Sequence, residues 1–167
     1  GNIGDERGNR GTGYEQVAPT VYALVAAIDA KDSFTFQHST NVSQYAVLLA
    51  QKLGLPGDDI QTVKVAGLLH DIGKIGIPES ILKKAGKLTN EEYEIMKSHV
   101  QKSIEMIHYL PNMNYVIPAV VSHHERYDGK GYPRGLKGEE IPLLGRILTV
   151  CDSFDAMISK RSYKEAL

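Results

Sequence analysis

Residues 58–74 read DDIQTVKVAGLLHDIGK and join an apolar segment to two side chains of the kind that bind metal ions. The apolar residues recur at helical spacing, which predicts a helix that begins near Asp58 or Asp59 and runs to His70-Asp71. A glycine-rich turn follows at once. Because the chain leaves its helix there, His70 and Asp71 can both reach inward. The stretch therefore predicts a helix end that presents two metal ligands.

Both flanks of this stretch carry further helical patterns and no convincing alternating strand. We predict helices from Tyr14 to Ile28, from His38 to Gly54, from Thr89 to Pro111, across 115–124 and across 146–159, with irregular segments at 72–88 and 125–145. The predicted core-facing stripes are Val17, Val21, Leu24, Val25 and Ile28; Val42, Tyr45, Ala46, Leu49 and Leu53; Tyr93, Met96, Val100, Ile104 and Ile107; and Ile147, Val150, Phe154 and Ile158. The fold is expected to be an all-α helical bundle.

Composition bounds the class of protein. The 167 residues suffice for about one domain, which we expect to span 14–167 behind a glycine-rich linker or tail at 1–13. A net charge of −1 gives no general attraction to a nucleic acid polymer. No apolar run is long enough to span a membrane, and we expect no signal peptide. A single cysteine, Cys151, makes no internal disulfide, and we expect a cytoplasmic location.

Ligand-type side chains recur on successive predicted helices. A lone helical histidine is more often structural than a metal ligand, but the doublets His70-Asp71 and His123-His124 both stand at predicted helix ends. Inward side chains of facing helices build metal sites in bundles, and imidazole with carboxylate suits Fe, Mn, Ni or Zn rather than Ca or Mg. The candidate ligands are His38, His70, Asp71, His99, His123, His124 and Asp152.

These motifs resemble a known family. His70-Asp71-Ile72-Gly73-Lys74 resembles the signature of HD-domain metal-dependent phosphohydrolases, and residues 123–133, HHERYDGKGYP, resemble the long motif of the HD-GYP subfamily. Residues 135–142, GLKGEEIP, and 151–156, CDSFDA, continue the pattern. The resemblance covers about residues 30–165 and implies an all-α HD-domain helical bundle around a central metal site.

The resemblance implies a cyclic di-GMP phosphodiesterase of the bacterial cytosol. Its products are pGpG and/or GMP, and the reaction uses a binuclear metal site with a bridging hydroxide. The cofactors implied are two divalent transition metals, Fe or Mn before Ni or Zn. The partners implied are GGDEF-type diguanylate cyclase domains and an upstream sensor or receiver domain. Because such relatives continue with further helices, we expect the domain to be cut short at Leu167.

Matching positions carry the family's metal roles onto this chain. His38 and Asp152 complete a first site with the HD pair, and Asp71 bridges two metals. His99, His123 and His124 hold the second. Some relatives bind a third metal through a Glu at the position of Phe34, so we expect two ions.

The resemblance also implies roles around the metals. Asp32 matches an acidic position on the leaving-group side, and Lys74 matches the lysine of the HD turn, in reach of a phosphate oxygen or the hydroxide. Arg161 and Lys164 match residues that contact phosphate and guanine. The lid loop that governs substrate access is Gly131, Tyr132 and Pro133.

The same residues allow alternative interpretations. Lys74 and Lys164 could be solvated surface charges, Arg161 a helix C-terminal cap and Asp32 an ordinary N-cap. Tyr132 could merely pack the loop. The whole domain could be a binding or signalling module without turnover, or another HD enzyme such as a nucleotide phosphatase or di-iron oxygenase, although the GYP loop argues against the last two.

Overall fold

The structure is a computed structural model that describes residues 19–28, 30–31 and 33–166, without the side chains of 33–36 and 160–166. The predicted linker at 1–13 and the first helix's start at Tyr14 lie outside these residues. The helices are α1 (19–28), α2 (Ser33–Lys52), α3 (Gly57–Leu69), α4 (Glu79–Leu82), α5 (Asn90–Lys97), α6 (His99–His108), α7 (Ile117–Ser122) and α8 (Leu143–Ala166). Within this part of the chain there is no strand beyond one isolated bridge between Asp128 and Lys137, so the all-α prediction is confirmed.

The core forms where α2 packs on α3 and on α8. Val42 and Ala46 of the predicted α2 stripe are buried there, as are Val21, Val25 and Ile28 of α1. The prediction was wrong for Leu53, which is 53% exposed, because α2 ends one residue earlier. Gly54 follows with φ +70°, the left-handed conformation that glycine adopts without strain.

The predicted third helix is confirmed almost to the residue, with His70 as its C-terminal cap. The segment after it is more regular than predicted, because it contains a 3-10 turn over Ile72–Gly76 and the short helix α4. This turn packs against α6. At Gly73 a side chain would collide with the His99 carbonyl and with Ser103, so only glycine allows the turn to lie this close to α6.

The predicted helix from Thr89 to Pro111 is two helices. Its capping box is confirmed, because the Thr89 side chain accepts from the Glu92 N–H while the Glu92 side chain accepts from the Thr89 N–H. The helix breaks at Ser98, whose hydroxyl donates to the Ile95 carbonyl at 2.5 Å. The break leaves Tyr93 exposed, contrary to prediction, and turns α6 so that His99 is buried at its start.

The last helix begins at Leu143, three residues before the predicted start, and runs to Ala166. Its predicted stripe was wrong beyond Ile147, because Val150, Phe154 and Ile158 are exposed, Val150 by 59%. Among the described side chains of α8, those of Ile147, Leu148, Cys151 and Asp155 are buried. This register directs the Asp152–Asp155 side of the helix toward α2. None of the described helices is both long and apolar enough to cross a membrane.

Candidate metal centre

The end of α3 places His70 and Asp71 in the interior. The Nδ1 of His70 donates to the Gly67 carbonyl at 2.6 Å, and its Nε2 lies 3.1 Å from Oδ2 of Asp71. No hydrogen-bond partner reaches this buried Nε2. A histidine whose Nδ1 carries the proton keeps a lone pair on Nε2, the state in which imidazole binds a metal ion.

His99 and His123 are oriented by the same kind of hydrogen bond to the backbone as His70. Each ring donates its Nδ1 proton to the carbonyl three residues earlier, that of Met96 at 2.8 Å and that of Val120 at 2.5 Å. The buried Nε2 of His123 also has no hydrogen-bond partner. Three helices therefore each end or begin with an imidazole whose Nε2 is not used by its own helix and faces the same interior space.

His38 is supported differently. Its Nδ1 contacts Oδ2 of Asp155 at 2.7 Å, and its Nε2 contacts Oδ1 of Asp152 at 2.5 Å. His38 was predicted to begin the second helix. It is instead the sixth residue of α2, because α2 begins at Ser33. Its ring spans the gap between α2 and α8.

The candidate ligands fall into two groups that share one carboxylate. The first group is His38, His70, Asp71 and Asp152, and the second group is Asp71, His99, His123 and His124; the ligand atoms of each lie within 4.8 Å of one another. Oδ2 of Asp71 faces His70, whereas Oδ1 lies 3.3 Å from Nε2 of His99. The two oxygens of Asp71 thus point toward different groups.

The donor set fits metal ions. The orphaned nitrogens of His70 and His123 are buried polar atoms that native structures seldom leave unpaired. A buried lone pair beside buried carboxylates is satisfied by a cation. Nitrogen and carboxylate oxygen together suit Fe, Mn, Ni or Zn.

Electrostatics differ between the two groups. Burial acts to lower the pKa of His70, but the carboxylate of Asp71 and then that of Asp152, both close to its Nε2, outweigh it and raise the pKa to about 10. Burial also opposes ionisation of Asp71, yet the charges of His70 and Lys74 hold its pKa well below the usual value. In the second group, burial lowers the pKa of His123, and it lowers that of His124 to about 4.

Of the other predicted residues, Lys74 stands at the site. Its ammonium lies 3.3 Å from Oδ2 of Asp71 and its side chain is only 20% exposed, which disfavours a solvated surface charge. Asp32 and the side chains of Phe34, Arg161 and Lys164 lie outside the described residues. The predicted helix ended at 159 and left Arg161 beyond it. This prediction was wrong, because the backbone of α8 continues to Ala166.

The predicted lid loop lies against the second group. The ring of Tyr132 stacks on that of His124, with centroids 4.9 Å apart and planes 12° from parallel, and its N–H donates to the His124 carbonyl at 3.2 Å. The Lys97 ammonium lies 5.7 Å from the centre of the Tyr132 ring. Gly131 fits because a side chain there would collide with the backbone of 124–126. Pro133 follows a cis peptide bond.

Two buried acidic residues at the site, Glu125 and Asp155, were not predicted from the sequence to be functional. Glu125 accepts the N–H of Arg134 at 2.6 Å and that of Leu136 at 2.8 Å, which holds the loop that carries Tyr132. Asp155 supports His38. The sequence could have indicated both, because Glu125 adjoins the histidine doublet and Asp155 lies one helical turn from Asp152.

Comparison with known proteins gives concordant matches. A family model described as "HD domain" matches residues 23–167. The "Cyclic di-GMP phosphodiesterase response regulator RpfG" of Xanthomonas campestris is 44% identical over 154 residues, which are 91% of this chain and 41% of the relative. The "3'3'-cGAMP-specific phosphodiesterase 2" of Vibrio cholerae is 41% identical over 87% of this chain and 28% of the relative. The chain therefore spans less than half the length of these curated relatives.

A solved structure is also similar. It is titled Bd1817, a HDG"Y"P protein from Bdellovibrio bacteriovorus, and aligns with a TM-score of 0.61 at 25% identity over 81% of this chain and 45% of that one.

Proposed function

This chain belongs to the HD-domain family, and on that premise we propose that it is a metal-dependent phosphodiesterase that hydrolyses cyclic di-GMP. One observation carries the proposal: Asp71 lies between two groups of ligand-type side chains and turns one oxygen toward each. Relatives at 41–44% identity are named cyclic di-GMP and 3'3'-cGAMP phosphodiesterases, which supports the substrate class.

The residues that would hold the ions are the two groups defined above, with Asp71 as the bridging ligand. We propose two divalent transition metals per chain, Fe or Mn before Ni or Zn. When bound, such a pair supplies a water-derived nucleophile at neutral pH and neutralises phosphate charge. His70, His99 and His123 would each offer Nε2 to an ion, and their Nδ1 hydrogen bonds hold the rings in orientation.

The surrounding residues would bind and orient the cyclic dinucleotide. The Lys74 ammonium, already within 3.3 Å of Asp71, is in position to donate to a nonbridging phosphate oxygen. Arg161 and Lys164 are proposed to contact phosphate and guanine, and Asp32 to act on the leaving-group side. Addition of water to one phosphodiester opens the ring to pGpG, and a second hydrolysis gives GMP.

The loop Gly131-Tyr132-Pro133 is proposed to control access to the second group, since Tyr132 covers the His124 ring. The same loop offers a contact surface for GGDEF-type diguanylate cyclase domains. We further propose that residues 14–167 form the catalytic domain after a linker at 1–13. In the full-length protein it would act in the cytoplasm under an upstream sensor or receiver domain.

The test is metal analysis of anaerobically purified protein followed by product chromatography with cyclic di-GMP, with 3'3'-cGAMP assayed in parallel. We expect pGpG or GMP from the wild type and no product from Asp71→Asn. Asp59→Asn, at the opposite end of α3, is the matched control and should retain activity. Binding of cyclic di-GMP without product would instead identify a signalling module, and faster turnover of 3'3'-cGAMP would reassign the substrate.

A further inference from the structure

The four histidines whose Nδ1 contacts are known do not share one kind of partner. His70, His99 and His123 each donate from Nδ1 to a neutral backbone carbonyl. His38 instead meets the carboxylate of Asp155 at 2.7 Å. A carboxylate behind an imidazole makes its other nitrogen a stronger donor to metal than a carbonyl does. The first group therefore contains one histidine that is supported by a charge.

Asp155 is held rigidly in this role. It is 1% exposed, and its second oxygen accepts from the side-chain amide of Asn41 at 2.9 Å. The Ser159 hydroxyl donates to Oδ2 at 3.4 Å. Because Asn41 lies on α2 and Asp155 on α8, this network ties the two helices together beside His38.

The two groups also differ in the number of carboxylates. The first has Asp71 and Asp152 with two imidazoles, whereas the second has Asp71 alone with three imidazoles. More negative charge strengthens binding of a divalent cation, and oxygen ligands favour Mn²⁺ while imidazole favours Zn²⁺, Fe²⁺ or Ni²⁺. The shared Asp71 cannot account for the difference, since it serves both groups.

We propose that the two metal positions are inequivalent: the first group binds its ion first and more tightly, and Asp155 is the positioning residue that sets this order through His38. The inference rests on the proposed function for the identity of the ligands. It adds which position fills first and which residue outside the ligand set is responsible. Asp155 belongs to neither group of candidate ligands and would act through the imidazole of His38.

The test is a titration of the metal-free protein with Mn²⁺, in which electron paramagnetic resonance measures the free ion. We expect two classes of site whose Kd values differ by at least about tenfold. Asp155→Asn should weaken the tight class by roughly 10- to 100-fold, the usual effect of losing a ligand's supporting partner, and leave the weak class unchanged. His123→Ala should remove the weak class and leave the tight class in place.

Two further variants keep the test decisive. Asn41→Ala leaves the charge of Asp155 but frees its carboxylate, and should weaken the tight class by a smaller factor even if Asp155→Asn folds poorly. Asp59→Asn is the matched control and should change neither class. Circular dichroism of each metal-free variant verifies its fold.

The outcomes separate this inference from the proposed function. Two equal classes of Mn²⁺ site, or equal weakening of both classes by Asp155→Asn, would overturn the order of filling and leave a binuclear phosphodiesterase in place. A wild-type protein that binds no Mn²⁺, Fe²⁺ or Zn²⁺ would overturn both.

Discussion

The Nε2 atoms of His99 and His124 lie 3.2 Å apart, although the residues are 25 positions apart in sequence. His99 already donates its Nδ1 proton to the Met96 carbonyl, so its Nε2 offers a lone pair. Two imidazole nitrogens at this separation need a proton or a cation between them. The contact joins the start of α6 to the chain after α7 and defines one side of the second group.

Asp71 should matter more for metal content than any single histidine. Asp71→Ala removes a ligand from both groups, whereas His99→Ala removes one from the second group only. We expect about two metals per chain in the wild type, close to none in Asp71→Ala and close to one in His99→Ala, measured by elemental analysis after gel filtration. Two metals retained in Asp71→Ala would refute the bridging assignment.

Glu125 should stabilise the loop through its two backbone contacts. Glu125→Ala removes the charged acceptor of the N–H groups of Arg134 and Leu136, and a hydrogen bond to a charged group contributes about 1.5–3 kcal/mol. Because both contacts are only partly buried and water replaces part of each, we expect the free energy of unfolding in urea to fall by roughly 2–5 kcal/mol. Glu125→Gln, which keeps one acceptor oxygen, should lose less. Glu139→Ala, at an exposed position nearby, is the control, and an equal loss there would contradict this account.

Tyr132 should act through its ring. Tyr132→Phe keeps the stack on His124, while Tyr132→Ala removes a contact worth about 0.5–1.5 kcal/mol. We expect the melting temperature to fall and the KM for cyclic di-GMP to change in the alanine variant only. Tyr109→Ala removes an aromatic ring that is 90% exposed and serves as the control. Identical kinetics for the wild type and all three variants would show that Tyr132 only packs the loop.

Arg161 should serve the substrate rather than the metals. Arg161→Ala is expected to raise the KM for cyclic di-GMP about ten- to a hundredfold, the loss of one charge-assisted contact, with metal content unchanged. Arg161→Lys should rescue only part of the loss because lysine lacks the planar fork. Unchanged KM with a lower melting temperature would favour a purely structural role.

Glu92 should titrate far below an ordinary glutamate. Its hydrogen bond from Lys84, and then that from the Thr89 N–H, lower its pKa from 4.5 to about 2. A carboxyl with a lowered folded-state pKa contributes stability above its unfolded pKa and loses it as the pH falls. The contribution should therefore be complete above about pH 4.5 and vanish toward pH 2. Titration by NMR should give the low value in the wild type and a higher one in Lys84→Met; equal values would contradict the pairing.

Local patterns predicted the helix starts and ends where one turn of chain decides them. The Thr89–Glu92 capping box, the end of α3 at His70 and the glycine after α2 all depend on residues within four positions of one another. The break at Ser98 could not be predicted in this way, because either a straight or a bent helix satisfies the same apolar spacing. Packing of His99 against the turn after α3 selects the bent one.

The sequence by itself determined the helical class and the chemical identity of the candidate ligands, because periodicity and side-chain type are local properties of the chain. The family resemblance implied how these side chains divide into two groups around Asp71, but only the tertiary structure brings the ligand atoms of each group within 4.8 Å of one another. It also decided that α8 buries Asp155 rather than Val150 and Phe154, and that Asp155 supports His38. The physical reason is that the rotation of a helix about its axis is set by the helices packed against it, and those neighbours come from distant parts of the chain.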